Sequence, residues 1–460
     1  MPLSALLLLL ASGPAETRTL RLDYFHTGSA TEERFALDGI VLEGPWPGRP
    51  DRAIDDTNLG PYLFEVVDRS TNGVLYSRGF AGIFGEWETT AEAKEAHRTF
   101  HESLRFPEPA GPVQVVVKKR GPANAFREAW AVIVDPKDPM IDRTSTPPEA
   151  KPWPVVSSGD PKDRVDLLLL GDGYTRAEMD KWHHDARRLA DLLFAVSPFK
   201  ERRHDFNVWA LDTPSDESGV ARPSDGVYRR SALRAGYDAF GLERYALAFD
   251  NKRLREAAAA VPYEFVEIVM NDRKYGGGGI FNLYATVAAD NAWAAYLFVH
   301  EFGHHFAGLA DEYYTSAVAY ESVPAEPWEP NATADPQAGK WRDLVTPGTP
   351  LPTPWAKADF EAMDKEIQAR RRKIREEKRP EEEMDALLRE ARQRARKLLA
   401  SGSHAHAVGA FEGAMYRDKG YYRPQADCIM FTRAEAFCAV CRRAIERVID
   451  LHARPADASR

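Results

Sequence analysis

Cysteine is nearly absent: Cys428, Cys438 and Cys441 are the only three in 460 residues. Cys438-x-x-Cys441 is not joined by a second pair of that spacing, so it does not make a structural zinc site in the double Cys-x-x-Cys form. Its flanks are not thioredoxin-like, which leaves a structural role. In an oxidising compartment two of the thiols would pair and one would stay odd. An excess of basic charge is missing too. Sixty-one Lys and Arg against 70 Asp and Glu give a net charge of −9, which argues against a nucleic-acid binder. Past residue 15 no apolar run is long enough to span a membrane. The run Gly276 to Gly279 lacks the Lys-Ser/Thr ending and the following helix of a phosphate loop.

The length predicts more than one domain. Residues 1–15 hold the run Ala5 to Ala11, dominated by leucine, followed by small residues. They read as a signal peptide, although no Lys or Arg precedes the run, and the mature protein is expected to be secreted, periplasmic or cell-surface. Residues 17–140 alternate with period two in several stretches, such as Thr19 to Phe25 and Tyr62 to Asp68, and turn residues punctuate them. A β-sandwich of about seven short strands follows. Residues 141–163, rich in proline and serine, read as an extended linker. Residues 164–455 alternate buried strands with helices in an α/β pattern, opening on Val165 to Leu170 and a capping box, Thr175-x-x-Glu178. Within them, 355–405 is a densely charged insertion, read as two helices in a projecting hairpin with a solvated surface.

His300-Glu301-x-x-His304 carries the chemistry. On a helix, residues four apart share a face, so two imidazoles converge on one ion, and Glu301 stands where a carboxylate can serve as general base. Tyr296 to Val299 form an apolar lead-in, and Gly308 is suited to end the helix. Buried histidine and glutamate in such surroundings need partners or a metal, and Zn2+ suits the set. Ser215 to Ser218 cluster oxygen atoms that could take a second cation, Ca2+, although a plain turn is the simpler reading. His305, one helical step of about 100° away, points off the ligand face. Asn331-Ala-Thr333 matches a glycosylation sequon.

The stretch from His300 through Asp311, Glu312 and Tyr313 resembles the signature of the IgA-peptidase-like family of zinc metallopeptidases. Val165 to Thr175, Phe206 to Trp209, Pro214 to Gly219, Tyr422 to Pro424, Cys428 to Met430 and Phe437 to Cys441 resemble further blocks of that family, over roughly residues 160–450. The resemblance implies an N-terminal β-sandwich and a metzincin-like peptidase domain, one zinc ion, and a protein or peptide substrate. In metzincins a glycine turn returns a third ligand to the metal. Here the glycine arrives one residue later and Asp311 falls at the returning position, with Glu312 as the alternative. Cys428-Ile429-Met430 resembles the methionine turn beneath the metal. Tyr422 is the candidate for steadying the oxyanion, and Arg423 is an alternative contact to substrate. Gly277, Gly278, Gly279 and Asn282 are expected to line the cleft as an edge strand that pairs with extended substrate. The expected function is a secreted zinc endopeptidase. A zinc-stabilised binding module on a peptidase fold, or an amidase of non-peptide substrates, would use the same residues.

Overall fold

The computed structural model describes residues 17–144, 151–315 and 326–454, and the expected signal segment lies outside them. Seven strands make the N-terminal sandwich: β1 Arg18–Gly28, β2 Glu33–Pro45, β3 Tyr62–Asp68, β4 Val74–Phe80, β5 Arg98–Pro107, β6 Val113–Arg120 and β7 Phe126–Val134. One sheet has the order β2-β1-β5 and the other β4-β3-β6-β7, and all pairings are antiparallel. Leu20, Leu22 and Tyr24 from one sheet meet Phe64, Val115 and Val117 from the other. This is the inward half of the period-two pattern. A short helix, α1 (Ile83–Trp87), leaves this core and buries Ile83, Phe84 and Trp87 in the core of the second domain.

The second domain is built on a six-stranded sheet. Its strands are β8 Lys151–Val156, β9 Val165–Asp172, β10 Phe206–Asp212, β13 Phe265–Met270, β14 Gly277–Ile280 and β15 Tyr284–Ala288; two-residue strands β11 Ala235–Gly236 and β12 Leu247–Ala248 pair separately. The order is β14-β15-β13-β9-β10-β8, parallel through β15, β13, β9 and β10, with an antiparallel strand at each edge. Every residue of β9 and β13 is buried, as central strands covered on both faces require. The sheet begins earlier than the linker reading expected. Pro152-Trp153-Pro154 lies in β8, where an edge position leaves the missing proline amides without consequence.

Helices α2 (Met179–Leu193), α3 (Asn251–Ala258), α4 (Ala294–Ala307), α5 (Lys357–Glu376), α6 (Glu381–Ala400) and α7 (Ala439–His452) complete the fold with the hairpin β16 (Phe411–Ala414) and β17 (Arg417–Arg423). The capping box before α2 is formed as read, through one turn of 3₁₀ helix. The charged insertion does not project. Phe360, Met363, Ile367 and Ile374 of α5, with Met384, Leu387, Leu388, Ala391 and Ala395 of α6, recur at helical spacing and are buried in the main core. The dense charge hides that stripe in the sequence. Exposed charges tie the two helices together, as in Arg370–Glu390 and Arg394–Glu366, both 2.8 Å.

Candidate active site

Helix α4 packs against β14 and β15 and carries His300, Glu301 and His304. Gly308, at φ +59°, stops the helix and turns the chain so that Asp311 returns to the two histidines. The Nε2 atoms of His300 and His304 lie 3.2 Å apart, and Asp311 Oδ1 stands 3.1 and 3.3 Å from them. A tetrahedral ion with bonds of about 2.0–2.2 Å would space its ligand atoms at about 3.3 Å. Each imidazole is oriented from behind: His300 Nδ1 faces the Ile429 carbonyl at 3.1 Å and His304 Nδ1 faces that of Leu309. A proton on each Nδ1 leaves the Nε2 lone pairs aimed at the common point, the tautomer a ligating histidine needs. Asp311 Oδ1 is buried with no hydrogen-bond partner, whereas Oδ2 accepts from the Tyr416 hydroxyl. Such an orphaned oxygen between two lone pairs fits a metal.

The electrostatics agree. Burial works against the Asp311 charge, but His304 and His300 outweigh it and hold the carboxyl well below its ordinary range. Burial likewise disfavours a charged His304, yet Asp311 beside it lifts the imidazole to about 9. The triad therefore demands positive charge, as a proton or as an ion. Glu301, also buried, is pushed up by burial and eased back by the two histidines. Behind it on β13, Glu267 is fully buried with both oxygens unpartnered, and burial, then Glu301, drive its carboxyl far up.

The helix sits on a floor made by the returning chain. A Cβ on Gly303 would lie 3.2 Å from Met430 Sδ, so the methionine packs directly under the turn between the two histidines. Above, β14 crosses the helix at very short range. A Cβ on Gly279 would lie 2.3 Å from the Glu301 carbonyl oxygen, and one on Gly277 3.3 Å from Glu301 Cγ. Only glycine permits that approach.

A family model described as IgA Peptidase M64 matches residues 154–449, well over half of the chain, and one described as Peptidase M64 N-terminus matches residues 13–131. The chain belongs to the IgA Peptidase M64 family. It is a peptidase, and its substrate is a peptide or protein. A search of curated proteins finds no match to it.

In this peptidase the structure brings His300, His304 and Asp311 together, with Glu301 alongside, and the cleft over them is lined by Gly277, Gly278 and Gly279. Asn282 is not in the cleft. It occupies the tight turn after β14 at φ +55°, and its amide donates to the Gly79 carbonyl of the sandwich at 3.0 Å. Tyr422 is not there either, because its backbone exchanges hydrogen bonds with Thr333, which fixes it outside the cleft. Arg423 is fully buried under Trp355 and Phe431 and donates to the Gly413 carbonyl, so it is a packing residue. The tyrosines that do reach the cleft are Tyr245, Tyr313 and Tyr416. Tyr416 lies in the β16–β17 turn, at φ +62°, and that turn is pinned through Met415 N–H to the Asp311 carbonyl at 3.0 Å. Nothing local in the sequence marks a hairpin turn as facing a helix a hundred residues earlier.

Other expected roles also move. Glu312 turns away from the histidines, and its carboxylate meets the three cysteines and Asn331. Asn331, fully buried, holds Ala310 by both its amide and its carbonyl, which makes it a clamp on the Asp311 loop rather than a glycosylation site. His305 is a core residue: Nδ1 faces the Ile280 carbonyl, Nε2 accepts from Val266 N–H, and burial pushes the ring down to about 3. At the suggested calcium site, Ser215 Oγ accepts the amides of Gly173 and Ala232, and Ser218 donates to Glu178. That is a hydrogen-bonded turn. Finally, a second cavity opens beside His300 and Glu301, walled by Arg244, Arg433 and, from α5, Arg371. Burial, with Arg433 and Arg244 nearby, brings Arg371 down to about 10.

Proposed function

We propose that this peptidase is a zinc-dependent endopeptidase in which His300, His304 and Asp311 hold the metal and Glu301 is the general base. The observation that carries the reading is the triangle of His300 Nε2, His304 Nε2 and Asp311 Oδ1, with separations of 3.1–3.3 Å and both imidazoles held from behind. Zinc bound there supplies Lewis acidity, polarising the scissile carbonyl and making water acidic near neutral pH. Glu301, adjacent and raised above an ordinary carboxylate by burial, takes the proton of the attacking water and passes it to the departing amine. Tyr416 holds the second oxygen of Asp311 and so fixes the ligand's orientation.

Substrate would lie along β14. The amide and carbonyl of Gly277 already bond to Arg244 and Ala246, and the Phe281 carbonyl accepts from Ala81 of the sandwich. By strand alternation Gly279 presents its backbone groups at that same edge, between the two occupied positions. One extended residue can dock there, directly over Glu301. The test is zinc analysis of the purified protein together with cleavage of a degenerate peptide pool, with and without chelator and after zinc is restored. Zinc-dependent cleavage within peptide chains supports the proposal. Zinc at the histidines without any cleavage would favour a binding module or an amidase of other substrates.

A further inference from the structure

A second group of ligand-type side chains lies next to the first. Glu312, Cys428, Cys438 and Cys441 are all buried, and one donor atom from each falls within 4.8 Å of the others. Cys428 Sγ and Cys441 Sγ are 3.8 Å apart, and Glu312 Oε1 is 3.4 Å from Cys441 Sγ and 3.8 Å from Cys438 Sγ. A tetrahedral zinc ion with Zn–S of about 2.3 Å and Zn–O of about 2.0–2.2 Å would set sulfur–sulfur edges near about 3.8 Å and sulfur–oxygen edges near about 3.5 Å. A disulfide would need its sulfurs at about 2.05 Å, and all three thiols are unbonded.

Buried cysteines are often mere small apolar filler. Glu312 makes that account insufficient. Its carboxylate has no solvent exposure, and Oε2 has no hydrogen-bond partner. Backbone amides also point at the sulfurs: Cys438 N–H donates to Cys428 Sγ at 3.2 Å and Cys441 N–H to Cys438 Sγ at 3.4 Å. Such bonds favour thiolates, and Cys438 additionally caps the N-terminus of α7. Four buried donor atoms that converge on one point, three of them thiols that can bind as thiolates, fit a metal ion. Thiolate donors select a soft ion such as zinc over calcium or magnesium, and four protein donors leave no open position.

We propose that Glu312, Cys428, Cys438 and Cys441 form a second, structural zinc site that braces the first. Asp311 and Glu312 are consecutive, so one loop feeds both clusters. Glu312 N–H donates to the Met430 carbonyl at 2.8 Å, and the neighbouring Ile429 carbonyl orients His300. An ion here ties the Asp311 loop, the turn beneath α4 and the start of α7 to one point.

The site is tested by zinc content and zinc-edge X-ray absorption on the full-length protein. Wild type should carry two zinc ions and show sulfur scatterers at about 2.3 Å. The double substitution His300→Ala, His304→Ala should lose one zinc and keep the sulfur shell, whether or not the first site is catalytic. Cys438→Ser with Cys441→Ser should lose the sulfur shell. If that variant fails to fold, the histidine variant and a thiol count still decide, since the unfolded, chelated wild type should titrate three thiols. Zinc with no sulfur neighbours, or one thiol together with a disulfide among residues 428, 438 and 441, would overturn the proposal.

Discussion

At the scale of single residues, the site depends on what glycine leaves out and on what burial does to a carboxyl. Gly279→Ala would drive a methyl group into the Glu301 carbonyl and against His304, and neither helix nor edge strand can yield without moving that proposed ligand. Overpacking of this kind costs about 1–3 kcal/mol. We expect a fall in thermal stability together with weaker zinc retention, measured by competition with a chromophoric chelator. Equal stability and retention would mean that β14 does not constrain the helix. Glu267 offers a pH test. Its folded carboxyl titrates well above an unfolded value of about 4.3, so it stabilises the fold fully only below that value, and its contribution is lost as pH rises through its folded pKa. Glu267→Met removes two unpartnered buried oxygens. The variant should melt higher at pH 7–8, by about 1–3 kcal/mol of stability, and the gain should shrink as pH falls towards 4. A difference independent of pH would count against a displaced titration.

At the scale of elements, the helical hairpin α5–α6 is where sequence and structure part most. Its two helices were legible from composition, but charge dilutes the apolar stripe of Phe360, Met363 and Ile367, and the hairpin was expected to project with a solvated surface. The stripe seats the hairpin on the core and brings Arg371 beside Arg244 and Arg433 next to His300. Arg371 donates to Gln368 and Arg433 to Tyr275, neither of them a carboxylate. Clustered guanidinium groups of this kind suit an acidic side chain. Peptides with Asp or Glu near the scissile bond should therefore be cut preferentially, and Arg371→Ala should raise KM for them about tenfold or more while leaving neutral peptides unchanged. A uniform loss on both would show a structural role. Helix α4, by contrast, was legible because its information is local: two histidines at one turn, an apolar flank and a terminating glycine. Tyr416 was not legible because its place depends on a hairpin turn docking on Asp311 from far along the chain. The same holds for Glu312, whose partners are cysteines more than a hundred residues later.

At the scale of the whole molecule, the sandwich and the peptidase domain share the cleft. Seven strands and an α/β sheet were legible from alternation and from apolar runs, but contacts between the domains leave no periodic trace. Ala81 N–H donates to the Phe281 carbonyl, Asn282 reaches Gly79, and Arg49 donates to the Ala453 carbonyl at 2.7 Å. Glu86 of α1 lines the cleft, accepts from the Tyr245 hydroxyl and is pushed up to about 7 by burial. Residues 151–460 expressed alone should expose the surface that Ile83, Phe84 and Trp87 cover, and should be aggregation-prone by light scattering. A soluble, active fragment would make the sandwich an independent module.

In the proposed reaction Glu301 moves the proton at a metal that His300, His304 and Asp311 would hold. The most direct test is Glu301→Gln, assayed for zinc content and for kcat on a peptide that the wild type cleaves. Zinc should be unchanged and kcat lower by about 10²–10⁴-fold, the usual contribution of a positioned general base. Full zinc with kcat near that of the wild type would contradict that role for Glu301.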